Sequence, residues 1–126
     1  MKPTFLSFAE VLKIHCNQIE LYGGKKGIRS LELLQSALAI PKATFGGQFL
    51  NKDLFEMAAA YLFHIVKNHP FIDGNKRTGA VSALVFLALN GVNISADEDS
   101  FEKMVRGVAE GKIDKSSISD FFRKRC

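Results

Sequence analysis

The chain has 126 residues, is 47% hydrophobic and 24% charged, and holds only 3 prolines; this composition fits one globular domain, residues 1–126, and excludes a disordered or low-complexity chain. Its apolar runs are interrupted by Glu56, His64, Lys67 and Ser82 before they reach the length of a membrane span. The formal charge of +4, from 17 basic against 13 acidic residues, raises the question of a nucleic-acid partner. No zinc-finger spacing, RNP aromatic pattern or helix-turn-helix signature accompanies it, so direct nucleic-acid binding is not expected.

The first segment, MKPTFLSFAEVLK, lacks the apolar region and cleavage site of a secretion signal, which points to a cytoplasmic protein without a membrane partner. Ser7 and Glu10 have capping-box spacing, and Phe8, Val11, Leu12, His15, Ile19 and Tyr22 recur at helical intervals until Gly23-Gly24. A lone histidine on such an apolar face, His15, reads as a satisfied core residue. Cys16 and Cys126 have no CxxC spacing and are expected to be reduced and unpaired. Gly23-Gly24-Lys25-Lys26-Gly27 does not fit a Walker loop.

Ser30 caps a second predicted helix, with Leu31, Leu34, Ala37 and Leu38 inward and Pro41 as its stop. Residues 41–53 contain Gly46-Gly47 and show no period, so they read as an irregular connection. The runs 54–68 and 78–89 are apolar nearly all round, the pattern of helices at the centre of a domain. Asn90-Gly91 closes the second. Further helices are expected from Ser100 to Glu110 and from near Ser117, with Asp120 completing a capping box. Val92-Asn93-Ile94 hints at a strand too short to build a sheet. The expected fold class is all-α, about six helices around a central buried pair.

Between the two central helices lies HPFIDGNKRTG, residues 69–79. His69-Pro70 ends one helix, since proline disfavours the α conformation before it and lacks an N–H. Phe71 supplies an apolar anchor and Gly74 a tight turn or close approach to a ligand. Asn75, Lys76 and Arg77 open the next helix, where two cations oppose the positive end of the macrodipole; the arrangement wants an anion, and several phosphates would use all of it. Beside a polyphosphate, Asp73 would hold a divalent cation, most naturally Mg²⁺. His69 could take a proton from an incoming hydroxyl. Each residue also has a plainer reading: Asp73 as a helix cap, Gly74 as a turn, Lys76 and Arg77 as solvated charges, His69 as a C-cap. Five chemically distinct polar groups in nine positions favour the joint, functional reading. His64 lies five residues before His69, about 140° around a helix, so the two do not form a metal pair.

The stretch resembles the signature of the Fic/Doc superfamily, HPFx[D/E]GN[G/K]R, at every specified position from His69 to Arg77. The segments IELYGGKKGIRS, LLQSALAIP, the FGG loop and AAAYLFHIVKNHPF are similar to elements of its Doc (death-on-curing) branch, type II toxin–antitoxin toxins. Two positions depart from the AMP-transferring members: Lys76 stands where they carry Gly, and Ala80 where they carry a second Arg. The resemblance therefore implies a kinase that uses ATP and Mg²⁺ to phosphorylate a hydroxyl, with a threonine of elongation factor Tu as the family's target and translational arrest as the outcome. It implies His69 as the catalytic base, Asp73 as the metal ligand, and Gly74, Asn75, Lys76 and Arg77 as nucleotide-binding, with AMP transfer or a non-catalytic co-repressor module as alternatives. The inhibitory [S/T]xxxE[G/N] segment of self-restrained members is missing, because Arg106 stands four residues before Glu110. Restraint is then expected from a separate antitoxin whose tail folds into a hydrophobic groove beside the motif. In the family a flap before the motif docks the target, a role that would fall to residues 41–53.

Overall fold

The computed structural model describes residues 1–126. Six helices form: α1 (Phe8–Tyr22), α2 (Leu31–Ala39), α3 (Leu54–Asn68), α4 (Asn75–Leu89), α5 (Glu98–Ala109) and α6 (Lys115–Arg123). The all-α expectation holds, with one addition. Residues 41–53 are not irregular throughout: a 3-10 turn at Ile40–Lys42 leads into a two-stranded antiparallel hairpin, β1 (Thr44–Phe45) and β2 (Gln48–Phe49), with Thr44 opposite Phe49. The α-helix α2 ends at Ala39, just before Pro41 as expected, and the chain continues in a tighter turn that carries the proline near its start, where a missing N–H costs little.

The caps explain most boundaries. Ser7 and Glu10 satisfy each other's backbone N–H groups at 2.8 and 3.1 Å, and Gly23 leaves α1 with a φ of 86°. Ser30 Oγ accepts from Leu33 N–H at 3.2 Å. At the later helices the expectation is corrected: Asp97 caps α5 through Ser100 N–H, and Asp114 caps α6 through Ser117 N–H. Both helices thus begin earlier than Ser100 and Ser117, because a carboxylate in an extended residue competes well for orphan N–H groups. Val92-Asn93-Ile94 forms no strand.

The central pair is α3 and α4, which lie close because Gly79 has no side chain: a Cβ there would sit 3.2 Å from Leu62 O and 3.0 Å from Val66 Cγ2. Met57, Tyr61, Leu62 and Ile65 of α3 and Ala83, Phe86 and Leu87 of α4 are fully buried. Around them pack Val11 of α1, Leu34 of α2, Val108 of α5, and Ile118 and Phe122 of α6. The Tyr61 hydroxyl accepts from Leu6 N–H at 2.9 Å, and burial pushes its pKa up to about 12. No helix is long and apolar enough to cross a membrane. The packing fixes both ends of the 69–74 connection, so whatever it carries is mounted on rigid elements.

Candidate active site

His69 is the only non-glycine residue with a positive φ, at φ 52° and ψ 52°. That left-handed conformation costs a residue with a Cβ about 1–2 kcal/mol, so something must hold it. Segment 24–30, which reaches the loop from between α1 and α2, supplies the bonds. Arg29 N–H and Ser30 N–H donate to Pro70 O at 2.7 and 3.0 Å, and Ile72 N–H donates to Gly27 O at 3.0 Å. The Arg29 guanidinium donates to His69 O at 2.6 Å and to Asn68 O at 2.9 Å. Phe71 is fully buried, as an anchor requires.

The aspartate beside it is held by backbone donors. Asp73 accepts from Gly74 N–H at 3.1 Å and from Lys25 N–H at 3.2 Å. Gly24 is needed for this approach, since a Cβ there would lie 3.0 Å from Asp73 Oδ2. The core reading of His15 is correct, and its partner is the motif itself. Its ring is 3% exposed, stacks on Phe71 at 3.8 Å between centroids, and donates from Nε2 to Asp73 O at 2.8 Å.

Gly74, at φ 76°, precedes α4 and offers no side-chain cap. Thr78 N–H is the first to bond within the chain, to Gly74 O, which leaves the N–H groups of residues 75–77 at an uncapped, positive helix end. Lys67, His69, Asp73, Gly74, Asn75, Lys76 and Arg77 line one cleft of about 590 Å³, with Val66 and Ala109 as its apolar contribution. Lys67, Lys76 and Arg77 take part in none of the chain's ion pairs, and Arg77 lies 5.1 Å over the Tyr22 ring. Asp73 is the cleft's one carboxylate. The structure therefore brings His69, Asp73, Gly74, Lys76 and Arg77 together at the cleft, with Pro70 and Phe71 buried behind it and the side chain of Asn75 turned away. That side chain is 4% exposed and turned inward, accepting from Phe71 N–H at 2.9 Å and donating to Phe71 O at 3.0 Å.

Sequence reasoning missed Lys67, whose position at the end of α3 reads equally as a C-terminal cation, and Arg29, whose partners lie about forty residues away. His64 belongs elsewhere: its Nε2 accepts from Lys115 Nζ at 2.8 Å, and burial, helped by that ammonium, lowers its pKa to about 4. Cys16 and Cys126 are free thiols on the surface.

A pre-organised positive cleft with one carboxylate and one imidazole is what a polyanion and a reacting hydroxyl need. A model of the Fic/DOC family matches residues 5–87, about two-thirds of the chain and the whole of the cleft's polar side. The chain belongs to the Fic/DOC family. Within it, the chain is 39% identical over 100 residues to Toxin Doc of Mycolicibacterium smegmatis (strain ATCC 700084 / mc(2)155), covering 78% of this chain and 77% of that protein. It is 34% identical over 119 residues to Protein kinase doc of Escherichia phage P1, covering 94% and 93%. These relatives support the Doc branch of the family.

No group of three or more His, Cys, Asp or Glu residues gathers anywhere, so no all-protein metal cage exists. Asp73 alone fits a hard cation such as Mg²⁺ that takes one carboxylate from the protein and its other oxygens from phosphates and water. Glu110, the nearest sequence match to an inhibitory glutamate, pairs with Lys112 at 3.3 Å and does not line the cleft.

Proposed function

We propose that this chain is a Doc-type toxin, a protein kinase that transfers the γ-phosphoryl group of ATP to a hydroxyl of a cytoplasmic protein. The carrying observation is that the free N–H end of α4, Lys76, Arg77 and Lys67 face the same cleft as His69 and Asp73. The name of the phage relative, Protein kinase doc, supports this choice over other transfers. So do Lys76, which fills space a glycine would leave for the nucleotide, and Ala80, which offers no second guanidinium clamp.

The chemistry follows from these groups. His69 accepts the proton of the target hydroxyl as the hydroxyl oxygen forms its bond to the γ-phosphorus; the bond from that phosphorus to the β–γ bridging oxygen breaks, and ADP departs. Lys76, Arg77 and the α4 N–H groups stabilise negative charge on the phosphates in a fixed geometry, which supplies most of the acceleration in such transfers. Mg²⁺, held through Asp73, would contribute further charge neutralisation. A threonine on elongation factor Tu is the target class that the family resemblance carries. The hairpin β1–β2, with Phe45 81% exposed, is the flap proposed to present it. Between α1, α4 and α5 a groove of about 480 Å³ is floored by Tyr22, Ala80, Phe101 and Val105 beside Lys76 and Arg77. It is the proposed seat of an antitoxin's amphipathic tail.

Incubation with Mg²⁺, a cytosolic extract and ATP labelled at either the γ or the α position tests the reading. Label should reach one dominant protein from the γ position only, and His69→Ala should abolish the transfer. Label from the α position would establish AMP transfer instead. Growth arrest that persists in His69→Ala would establish a non-catalytic module.

A further inference from the structure

The His69 imidazole has no hydrogen-bonding partner in the protein. The side-chain bonds of the three histidines connect His15 to Asp73 O and His64 to Lys115, while the bonds at residue 69 go through its backbone. A general base ordinarily has its ring oriented by a second polar side chain. Here no such group exists and His69 is exposed, so the place and direction from which the ring projects are set by the backbone at residue 69.

That backbone is unusual in two linked ways. His69 lies in the left-handed region, and the next residue is Pro70. In a helix that ends through a left-handed residue, the following N–H groups normally fold back onto the last carbonyls. Pro70 has no N–H, and one such bond cannot form. His69 N–H does reach Ile65 O at 3.3 Å, while the carbonyls of Asn68 and His69 lie beyond the last bonded turn and take their donor from another segment. Arg29 provides it, with Nε on His69 O at 2.6 Å and Nη2 on Asn68 O at 2.9 Å. The two bonds come from one planar fork, so they fix the relative orientation of two successive peptide planes, which a single ammonium could not do. Arg29 N–H on Pro70 O, 2.7 Å, ties the same residue to a third carbonyl.

The geometry points to Arg29 as the positioning residue of the catalytic histidine: its guanidinium holds the left-handed turn at His69 and thereby aims an imidazole that no side chain orients. This rests on the phosphoryl-transfer reading above. Arg29 does not line the cleft, so it is not a phosphate ligand, and its loss should act on turnover and leave nucleotide binding intact.

The test uses the full chain with Arg29→Ala, Arg29→Gln and Arg29→Lys, measured for γ-phosphate transfer, for ATP and Mg²⁺ binding by calorimetry, for melting temperature, and for the His69 ring and backbone resonances by NMR. Arg29→Ala should lower kcat by roughly 10²-fold, the scale of a misplacement of about 1 Å, with the KM for ATP within about threefold of the parent. Arg29→Lys and Arg29→Gln, each able to serve one carbonyl at a time, should recover part of the loss. The NMR arm should detect altered His69 resonances in Arg29→Ala with those of α6 unchanged. A kcat equal to the parent's in Arg29→Ala overturns the inference, as does a loss of ATP affinity equal to the loss of turnover. Should Arg29→Ala fail to fold, unchanged turnover in Arg29→Gln overturns it equally. If the parent chain transfers no phosphate, the kinase reading fails by itself, and the NMR comparison still decides whether Arg29 sets the histidine's conformation.

Discussion

Asn75→Ala separates two roles that share one position. The residue matches the nucleotide-binding part of the motif, yet its side chain spends both polar atoms on Phe71, at 2.9 and 3.0 Å, with both residues buried. Truncation leaves the Phe71 N–H and C=O without these partners. An unsatisfied buried polar group costs about 1–3 kcal/mol, so two would cost ~2–6 kcal/mol if nothing relaxed. Water entering from the neighbouring cleft can reach one of them, which brings the expected loss to ~2–4 kcal/mol. With an unfolding entropy of about 2.1 cal/mol/K per residue, a chain of 126 residues loses roughly 4 °C of Tm per kcal/mol. Asn75→Ala should therefore melt ~8–15 °C lower by calorimetry. Well below that melting point, its ATP affinity should stay within about threefold of the parent, because the group proposed to meet the phosphates at this position is the backbone N–H, which is retained. Asn75→Asp keeps the acceptor for Phe71 N–H but sets a carboxylate oxygen against Phe71 O, so at neutral pH it should be no more stable than the alanine variant. An unchanged Tm together with lost ATP binding would refute the reasoning and make the side chain a ligand contact.

Two further outcomes follow from the packing and the charges. Gly79→Ala brings a Cβ to 3.2 Å from Leu62 O and 3.0 Å from Val66 Cγ2; overpacking of about 1–3 kcal/mol outweighs the helix-propensity gain of about 1 kcal/mol, so thermal melts should register a net loss despite the better helix former. His64, with its pKa lowered to about 4 by burial and by Lys115, is neutral in the folded chain where the unfolded chain, near pH 6.5 and below, takes up a proton. Its contribution to stability is fully present above about pH 6.5 and is lost as pH falls toward 4, by ~1–2 kcal/mol after allowance for its partial exposure. Lys115→Met should bring the His64 pKa part of the way back up in an NMR titration, since burial remains.

The legible parts of this molecule were those encoded within a few residues. Capping boxes, glycine stops and apolar periodicity gave α1 to α4 nearly to the residue, because each signal acts through bonds three or four positions apart. The 44–49 hairpin escaped, since strands of two residues carry no alternation to read. The starts of α5 and α6 shifted because DEDS and DKSS offer several capping side chains in a row, and the aspartates prevailed. In the site, the polar run from His69 to Arg77 was legible as a cluster because its members are neighbours in sequence. The inward turn of Asn75 could have been suspected: with Thr78, Gly79 and Ser82 it shares the buried face of α4, at helical spacing. The Arg29 clamp, the closeness of Gly24 to Asp73 and the bond from His15 to Asp73 O could not. They join residues some forty to sixty positions apart, and nothing local announces them.

The cover that α6 gives to α3 bears on the order in which the cleft and its support are synthesised. Every charged group of the cleft, from Lys67 to Arg77, is already present in a chain that has been translated only as far as residue 77. Ile118 and Phe122, which seal the core containing Met57 and Tyr61, come some forty residues later. A chain halted after residue 77 thus carries all the charged groups of the cleft without the α6 side chains that close the core beneath them.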